Sequence, residues 1–339
     1  MTLPDISYAQ RYEDLHLWRC FAERTRGFYI DVGAGHPVYD NVSFLFYLAG
    51  WRGISVEPNP ALAALARAVR PRDTLYEGLA GAAAGEATLY LQREFHGLST
   101  TIPEQAAIAE KELGQSAEPL RREVTTLAAL CAAHAPPRID FLKVDVEGAE
   151  SAVLRGADFS RFRPQVIAIE AYKPITMEPA YAEWEPLLAA RGYATAWDDT
   201  LNRYYVADEA KLLAHRLSAG PRSYPAVPKV SSFKRAAENA GHPDHDLARL
   251  LVGADMAKLP LTGPEKFLSL LTAGIDAKTL AAPATASAAA AIALRLFGAS
   301  SEPPAIAGRG QTIRDLYASV IDSDRFRAAC GRICASYAW

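Results

Sequence analysis

Three apolar, strand-like runs in the first half of the chain pass straight into acidic and glycine residues: FYIDVGAGHP (28–37), SVEPNP (55–60) and IDFLKVDVEGAE (139–150). Such junctions put carboxylates and flexible backbone at the carboxyl ends of neighbouring parallel strands, where open α/β sheets bind ligands. At the first turn, Asp31, Gly33 and Gly35 let backbone approach a ligand closely, because glycine has no β-carbon. Glu57 ends the next strand, where an acidic side chain accepts hydrogen bonds from ribose hydroxyls in nucleotide-type sites. Lys143, Asp145 and Glu147 alternate along a strand end and so share one face. Lys143 has two readings, a base with a lowered pKa or an ion pair with its acidic neighbours. Glu170 ends the following strand, and Asp145 with Glu170 can offer hard oxygens to a magnesium- or manganese-like ion.

The remaining polar candidates each carry a functional and a structural reading. His96, in the irregular run FHGLST, is a general base near neutral pH or a surface histidine in a loop. His36 follows the glycine turn and positions it. Glu13 and Asp14, on an amphipathic N-terminal helix, approach the pocket from outside the sheet or form a solvated face. Asp198, Asp199 and Asn202 bind acceptor hydroxyls or serve only as turn residues.

A nicotinamide fingerprint requires G-x-G-x-x-G, and the chain reads Gly33-Ala34-Gly35-His36-Pro37-Val38. Valine in the third position crowds a pyrophosphate against the helix. A nucleoside cofactor without phosphates, such as S-adenosylmethionine, suits this turn better.

The elements that must hold these residues alternate from residue 28 to about 208, the pattern of a mostly parallel sheet covered by helices on both faces. Strands are expected at FYIDVG, GISVEP, TLYEGLA, DFLKVDV and QVIAIEA, with ATLYLQ at an edge and YATAWDD–NRYYVAD as a closing antiparallel hairpin. Helices are expected near 41–49, 60–69, 106–113, 126–134, 150–155 and 181–191. Seven strands then form a doubly wound α/β sheet. Proline and glycine thicken between 218 and 243, and strand formers nearly vanish beyond. The expected layout is a catalytic domain over 1–217, a linker over 218–246 and a helical accessory region over 247–339.

The chain has 339 residues, 50% hydrophobic and 22% charged, with a formal net charge of -3. That size supports a substantial core, and the charge gives no field that would gather nucleic acid. The N-terminal run has no basic region followed by an apolar core, and the most apolar window, 281–297, contains Arg295. The protein is expected to be soluble and cytoplasmic. Its four cysteines (Cys20, Cys131, Cys330, Cys334) lack a paired metal spacing; Cys330 and Cys334 are read as neighbours on one helical face.

The runs YAQRYED, YIDVGAGHPVYDNVS, GWRGISVEPNP, FLKVDVEGAE, RPQVIAIEA and LNRYYVA together resemble the FkbM family of S-adenosylmethionine-dependent methyltransferases. The resemblance covers roughly residues 7–208 and leaves the helical third outside. Many family members read DVGAN where this chain has Gly35, a change expected to alter the turn more than the chemistry. The resemblance implies a class I methyltransferase fold that passes a methyl group to a hydroxyl, often of a sugar or secondary metabolite. It implies that Asp31, Gly33 and Gly35 line the methionine portion of the cofactor and that Glu57, followed by Pro58, binds the ribose. Leu79 and Ala80 would flank the adenine, and Asp145 would lie beside the transferred methyl.

Methyl transfer to an alcohol is an in-line displacement that also requires loss of the hydroxyl proton. The candidate catalytic set is Asp145, Lys143, His96 and Glu147, with Asp145 and Glu170 as metal ligands. The expected function is O-methylation of a sugar, glycan or glycan precursor. The rivals are a non-sugar natural-product methyltransferase and a nicotinamide-binding oxidoreductase or inactive binding module on the same fold. A homo-oligomer or a glycosyltransferase partner, met through the helical region, completes the expectation.

Overall fold

The computed structural model describes residues 3–136, 138–173, 175–298, 302–308 and 310–338. The chain divides into two compact units, one of Met1–His36, Asp40–Ala63 and Pro71–Pro228, the other of Pro37–Tyr39, Ala64–Arg70 and Lys229–Trp339. The division after Pro228 falls inside the segment 218–246.

In the first unit, α1 (Glu13–Phe21) precedes β1 (Phe28–Val32), α2 (Phe44–Leu48) and β2 (Arg52–Val56); α3 (Pro60–Val69) begins in the first unit and continues in the second. Then follow β3 (Thr74–Tyr76), β4 (Leu79–Ala80), β5 (Gly85–Leu91), α4 (Pro103–Leu113), β6 (Glu118–Thr125) and α5 (Leu127–His134). The unit ends with β7 (Ile139–Val144), α6 (Glu150–Arg155), β8 (Pro164–Glu170), α7 (Glu185–Ala189), β9 (Tyr193–Asp198), β10 (Asn202–Ala207) and α8 (Lys211–Ser218). The main sheet has seven strands in the order β3-β2-β1-β7-β8-β10-β9. All pairings are parallel except those of β10 with β8 and β9. Strand order reverses direction between β1 and β7, the switch point beside which such sheets bind ligands.

Every residue of β1 and β7 is buried, as expected for strands covered on both faces. Phe141 of β7 packs on Tyr29 of β1 and on Phe46 of α2, with ring centroids 5.5 and 4.8 Å apart. Gly53 lets β2 lie against Tyr29, whose ring would stand 2.2 Å from any β-carbon there. Asn41 starts α2: its side-chain oxygen accepts from the Ser43 and Phe44 amides at 3.1 and 2.8 Å.

Three expectations change. The run TLYEGLA is two strands, because Gly78, packed against the Tyr76 ring and the Glu123 carbonyl, carries the chain out of the main sheet. ATLYLQ belongs to a separate three-stranded sheet in the order β4-β6-β5. Its central strand, EPLRREVT, goes unread in the sequence because charged residues interrupt its alternation; Arg121 there pairs with Glu86 at 2.6 Å. The segment 181–191 is a 3-10 turn at 181–183 followed by the short α7, since Pro186 fits only a first helical turn.

The second unit is helical: α9 (His245–Leu250), α10 (Pro264–Leu271), α11 (Ala277–Ala281), α12 (Ala286–Phe297), α13 (Ile313–Ile321) and α14 (Asp324–Ala335). Thr312 and Asp315 form a capping box at the start of α13. Cys330 and Cys334 both lie on α14 and are buried. No described helix is long and apolar enough to cross a membrane.

Candidate active site

The carboxyl ends of β1, β2, β7 and β8 carry Asp31, Glu57, Asp145 and Glu170. After β1 the chain turns through Gly33 and Gly35, at φ +73° and +61°. A β-carbon on Gly33 would stand 1.7 Å from the Asp145 carbonyl oxygen, so only glycine fits where β1 and β7 converge. Gly35 faces open space within 4 Å, and its left-handed backbone is one that asparagine also tolerates.

Glu57 is buried and holds this turn. One carboxylate oxygen accepts from the Gly35 amide at 2.7 Å, the other from the Asn59 amide at 2.8 Å. Burial, only partly offset by these two amides and by Lys143, pushes the Glu57 carboxyl up to about 7. Pro58 is half-buried between Glu57 and Asn59, and Leu79 and Ala80 are half-buried in β4.

Lys143 is buried at the centre of the constellation. Its ammonium donates to the Gly33 carbonyl at 2.8 Å and stands 3.2 Å from Asp145 and 3.7 Å from Asp31. Burial alone would lower the ammonium, but the Asp145 and Asp31 carboxylates outweigh it and raise it above its ordinary value. The ion-pair reading of Lys143 is thus the one the geometry carries, and a lysine base with a lowered pKa is not found. Asp31, fully buried, also accepts from the Ser43 hydroxyl.

Asp145, Glu147 and Glu170 converge, with oxygens within 4.8 Å of one another, the one such trio among the described residues. The Asp145 side chain is 33% exposed. Burial, then the charges of Asp145 and Glu150, hold the Glu147 carboxyl well above its ordinary value; burial, then Asp145 and Glu147, do the same for Glu170. Glu147 sits at φ +55°, rare for a residue with a side chain, and one of its carboxylate oxygens meets no hydrogen-bond donor among the described residues. Glu150 fixes this turn by accepting from the Val146 and Gly148 amides at 3.0 and 3.1 Å. Thr100 closes the other side, its hydroxyl donating to the Glu147 carbonyl at 2.7 Å.

His96 lies half-buried beside this group, its Nδ1 3.3 Å from the Asn59 side-chain amide, and burial lowers its imidazole. His36 is buried, and burial pulls it down to about 3, which keeps it neutral. Glu13 and Asp14 are buried, so neither belongs to a solvated face. Glu13 accepts from the Asn202 side chain at 3.0 Å, and Asn202 is paired with Glu170 across β10 and β8. Asp199 is also buried and binds the Tyr204 hydroxyl and the Asn202 amide. Asp198 instead pairs with Arg203 at 3.0 Å.

Sequence reasoning gave no role to Asn41, Ser43, Asn59 or Glu150, which brace the two turns. The signal for Glu150 was present: an acid in the first turn of a helix suits the unpaired amides there. Asn41 likewise stands just ahead of an apolar run, as caps do.

Residues 31–195 match the methyltransferase FkbM domain. No curated protein and no solved structure matches the chain. The matched stretch contains the glycine turn, Glu57 and the three converging carboxylates, on a Rossmann-like sheet; residues 31–195 of the chain form an FkbM methyltransferase domain.

Proposed function

We propose that the protein is an S-adenosylmethionine-dependent O-methyltransferase acting on a hydroxyl of a sugar, glycan or glycan precursor. One observation carries the cofactor reading. Five carboxylates, Asp31, Glu57, Asp145, Glu147 and Glu170, gather at the sheet's switch point with Lys143 as the cation among them. Such a pocket favours a cationic ligand, and a sulfonium methyl donor is one. The hydroxyl acceptor and its carbohydrate nature rest on the family resemblance.

When bound, S-adenosylmethionine supplies an activated methyl group. The open face of Gly35 leaves room for the cofactor, and Glu57 keeps lone pairs free to accept from ribose hydroxyls. Pro58, Leu79 and Ala80 line the adenosine side in this reading. Lys143 holds Asp31 and Asp145 in place. Glu147, with an oxygen that meets no donor among the described residues and a turn braced by Glu150 and Thr100, takes the hydroxyl proton. His96 closes the loop side as a neutral imidazole. Asp145 and Glu170 are hard oxygen donors of the kind magnesium or manganese prefers, and such an ion lowers the pKa of a bound hydroxyl. The four buried free thiols suit a reducing cytoplasm.

A second reading, a non-sugar natural product as acceptor, draws on Phe95 and Met177, each 45% exposed, and Ile175, 41% exposed. These lie on the loops that follow β5 and β8 and offer apolar surface.

Transfer of labelled methyl from S-adenosylmethionine to sugar nucleotides and oligosaccharides tests the proposal. The product is expected to resist mild alkali, as an ether does and a methyl ester does not. Preferential binding of NAD over S-adenosylhomocysteine would overturn the assignment. Thorough chelation followed by magnesium or manganese should lower and then restore the rate; an unchanged rate removes the metal.

A further inference from the structure

A second charged feature lies at the opposite end of the same strands. Around the amino ends of β1, β2 and β7 is a cavity of about 670 Å3, lined by Arg26, Arg52, Arg72, Arg138 and Asp140 among others. β7 runs from Ile139, beside this cavity, to Val144, next to Asp145, a rise of about 17 Å at ~3.3 Å per residue. The cavity and the carboxylate pocket are therefore separate sites.

The lining sets four guanidinium groups against one carboxylate. That carboxylate is already engaged: Asp140, 2% exposed, pairs with Arg24 and, at 2.9 Å, with Arg138, and accepts from the Phe28 amide at 2.8 Å. Arg72 is fixed in place, donating to the Tyr47 and Trp51 carbonyls at 2.6 and 3.1 Å and lying 3.9 Å over the Tyr47 ring. The side chains of Arg26 and Arg52 make no ion pair or hydrogen bond with any described residue. Gly27 presses the chain onto Trp51, whose ring would lie 2.3 Å from a β-carbon, and so seats Arg26 at the rim. The crowding of positive charge registers next door: burial, then Arg138 and Arg216, hold the Arg24 guanidinium below its ordinary value.

Like charges held together this way are relieved by an anion. A guanidinium fork matches carboxylate and phosphate alike, but a dianionic phosphoryl group draws on several forks at once, whereas a lone carboxylate needs one. An open hollow of this size in a chain of net charge -3 suits a small ligand better than a polyanionic surface. We propose that this cavity is a second ligand site, in which Arg26, Arg52 and Arg138 clasp the phosphoryl group of a small phosphorylated molecule while Arg72 forms its fixed wall.

Calorimetric titration of the full chain with inorganic phosphate, pyrophosphate and glucose 1-phosphate, each against sodium chloride of equal ionic strength, tests this. At least one probe should bind saturably with a sub-millimolar Kd. Exchanging both rim arginines in an Arg26→Gln, Arg52→Gln protein should weaken that binding about tenfold or more, the loss expected for charge-assisted hydrogen bonds. Binding of S-adenosylhomocysteine and the melting temperature should stay as in the parent, since both side chains are exposed and bond to no described residue. Tighter binding of glucose 1-phosphate than of phosphate identifies an esterified ligand, and equal or tighter binding of phosphate identifies the free ion. The proposal is overturned if no probe binds beyond the chloride control, or if the double variant binds as the parent does.

Discussion

At the scale of single residues, Glu57 joins structure to titration. Its carboxyl is pushed up to about 7 by burial while both oxygens hold backbone amides of the glycine turn and of Asn59. Only the ionised form has lone pairs to spare for ribose hydroxyls, so affinity for the cofactor product should rise with pH through this value. S-adenosylhomocysteine carries no sulfonium charge and isolates the effect; calorimetry should find it about tenfold tighter at pH 8 than at pH 6. Glu57→Gln should bind it about tenfold more weakly at pH 8 and lose the pH dependence. Asp145 belongs to the same argument on the reacting side. One-third exposed and paired with Lys143, it contributes charge at the acceptor and little to the fold. Asp145→Asn should cut turnover by about a hundredfold or more while cofactor affinity stays within a few fold. Full activity in that variant would remove Asp145 from the catalytic set.

At the scale of elements, the two turns after β1 and β7 are one device, because the Gly33 backbone lies against the Asp145 carbonyl. The two glycines of the first turn therefore should not respond alike. Gly33→Ala forces a β-carbon into that carbonyl at a positive φ and should cost about 3 kcal/mol and cofactor binding with it. Gly35→Asn meets open space at a φ that asparagine accepts, and should cost about 1 kcal/mol or less. Chemical denaturation of both variants checks the contrast. These turns were legible in the sequence because an acid and a glycine following a buried apolar run leave few alternatives; the helix over 150–155 and the 193–207 hairpin were legible for the same reason, each framed by turn chemistry. β6 was not, because its charged residues pair across strands with partners far away in the chain, such as Arg121 with Glu86, and local pattern carries no trace of that. The solvated-face alternative for Glu13 and Asp14 fails on similar grounds. Their burial comes from Asn202 and Ser7, and the charge pattern of one helix cannot report such neighbours.

At the scale of the whole molecule, the buried ionisable groups set opposing limits on stability. Burial raises Glu13 to about 8 and Asp14 to about 6, and with Glu57 these acids bind more protons in the folded chain than their ordinary values near 4 allow. The folded state holds more protons than the unfolded one in that range, so these groups stabilise least as pH rises through 6 to 8. His16 and His36 act on the other side. Burial lowers both to about 3, so their neutral forms favour the fold above about 6.5, and that contribution is lost as pH falls below it. The melting temperature should therefore peak near pH 5, by about these values, and decline toward pH 8. Glu13→Gln keeps the size of the side chain and its contact with Asn202 but cannot ionise, so it should flatten the alkaline limb by about 1–2 kcal/mol and leave the acid limb unchanged. Magnesium or S-adenosylmethionine places positive charge among Asp145, Glu147 and Glu170, where the raised carboxyls of Glu147 and Glu170 resist ionising together. Either ligand should raise the melting temperature more at pH 8 than at pH 6, because the cation then replaces protons that the cluster has lost. A melting temperature that climbs steadily from pH 6 to pH 8 without ligand would show that burial does not raise the carboxyls of Glu13, Asp14 and Glu57.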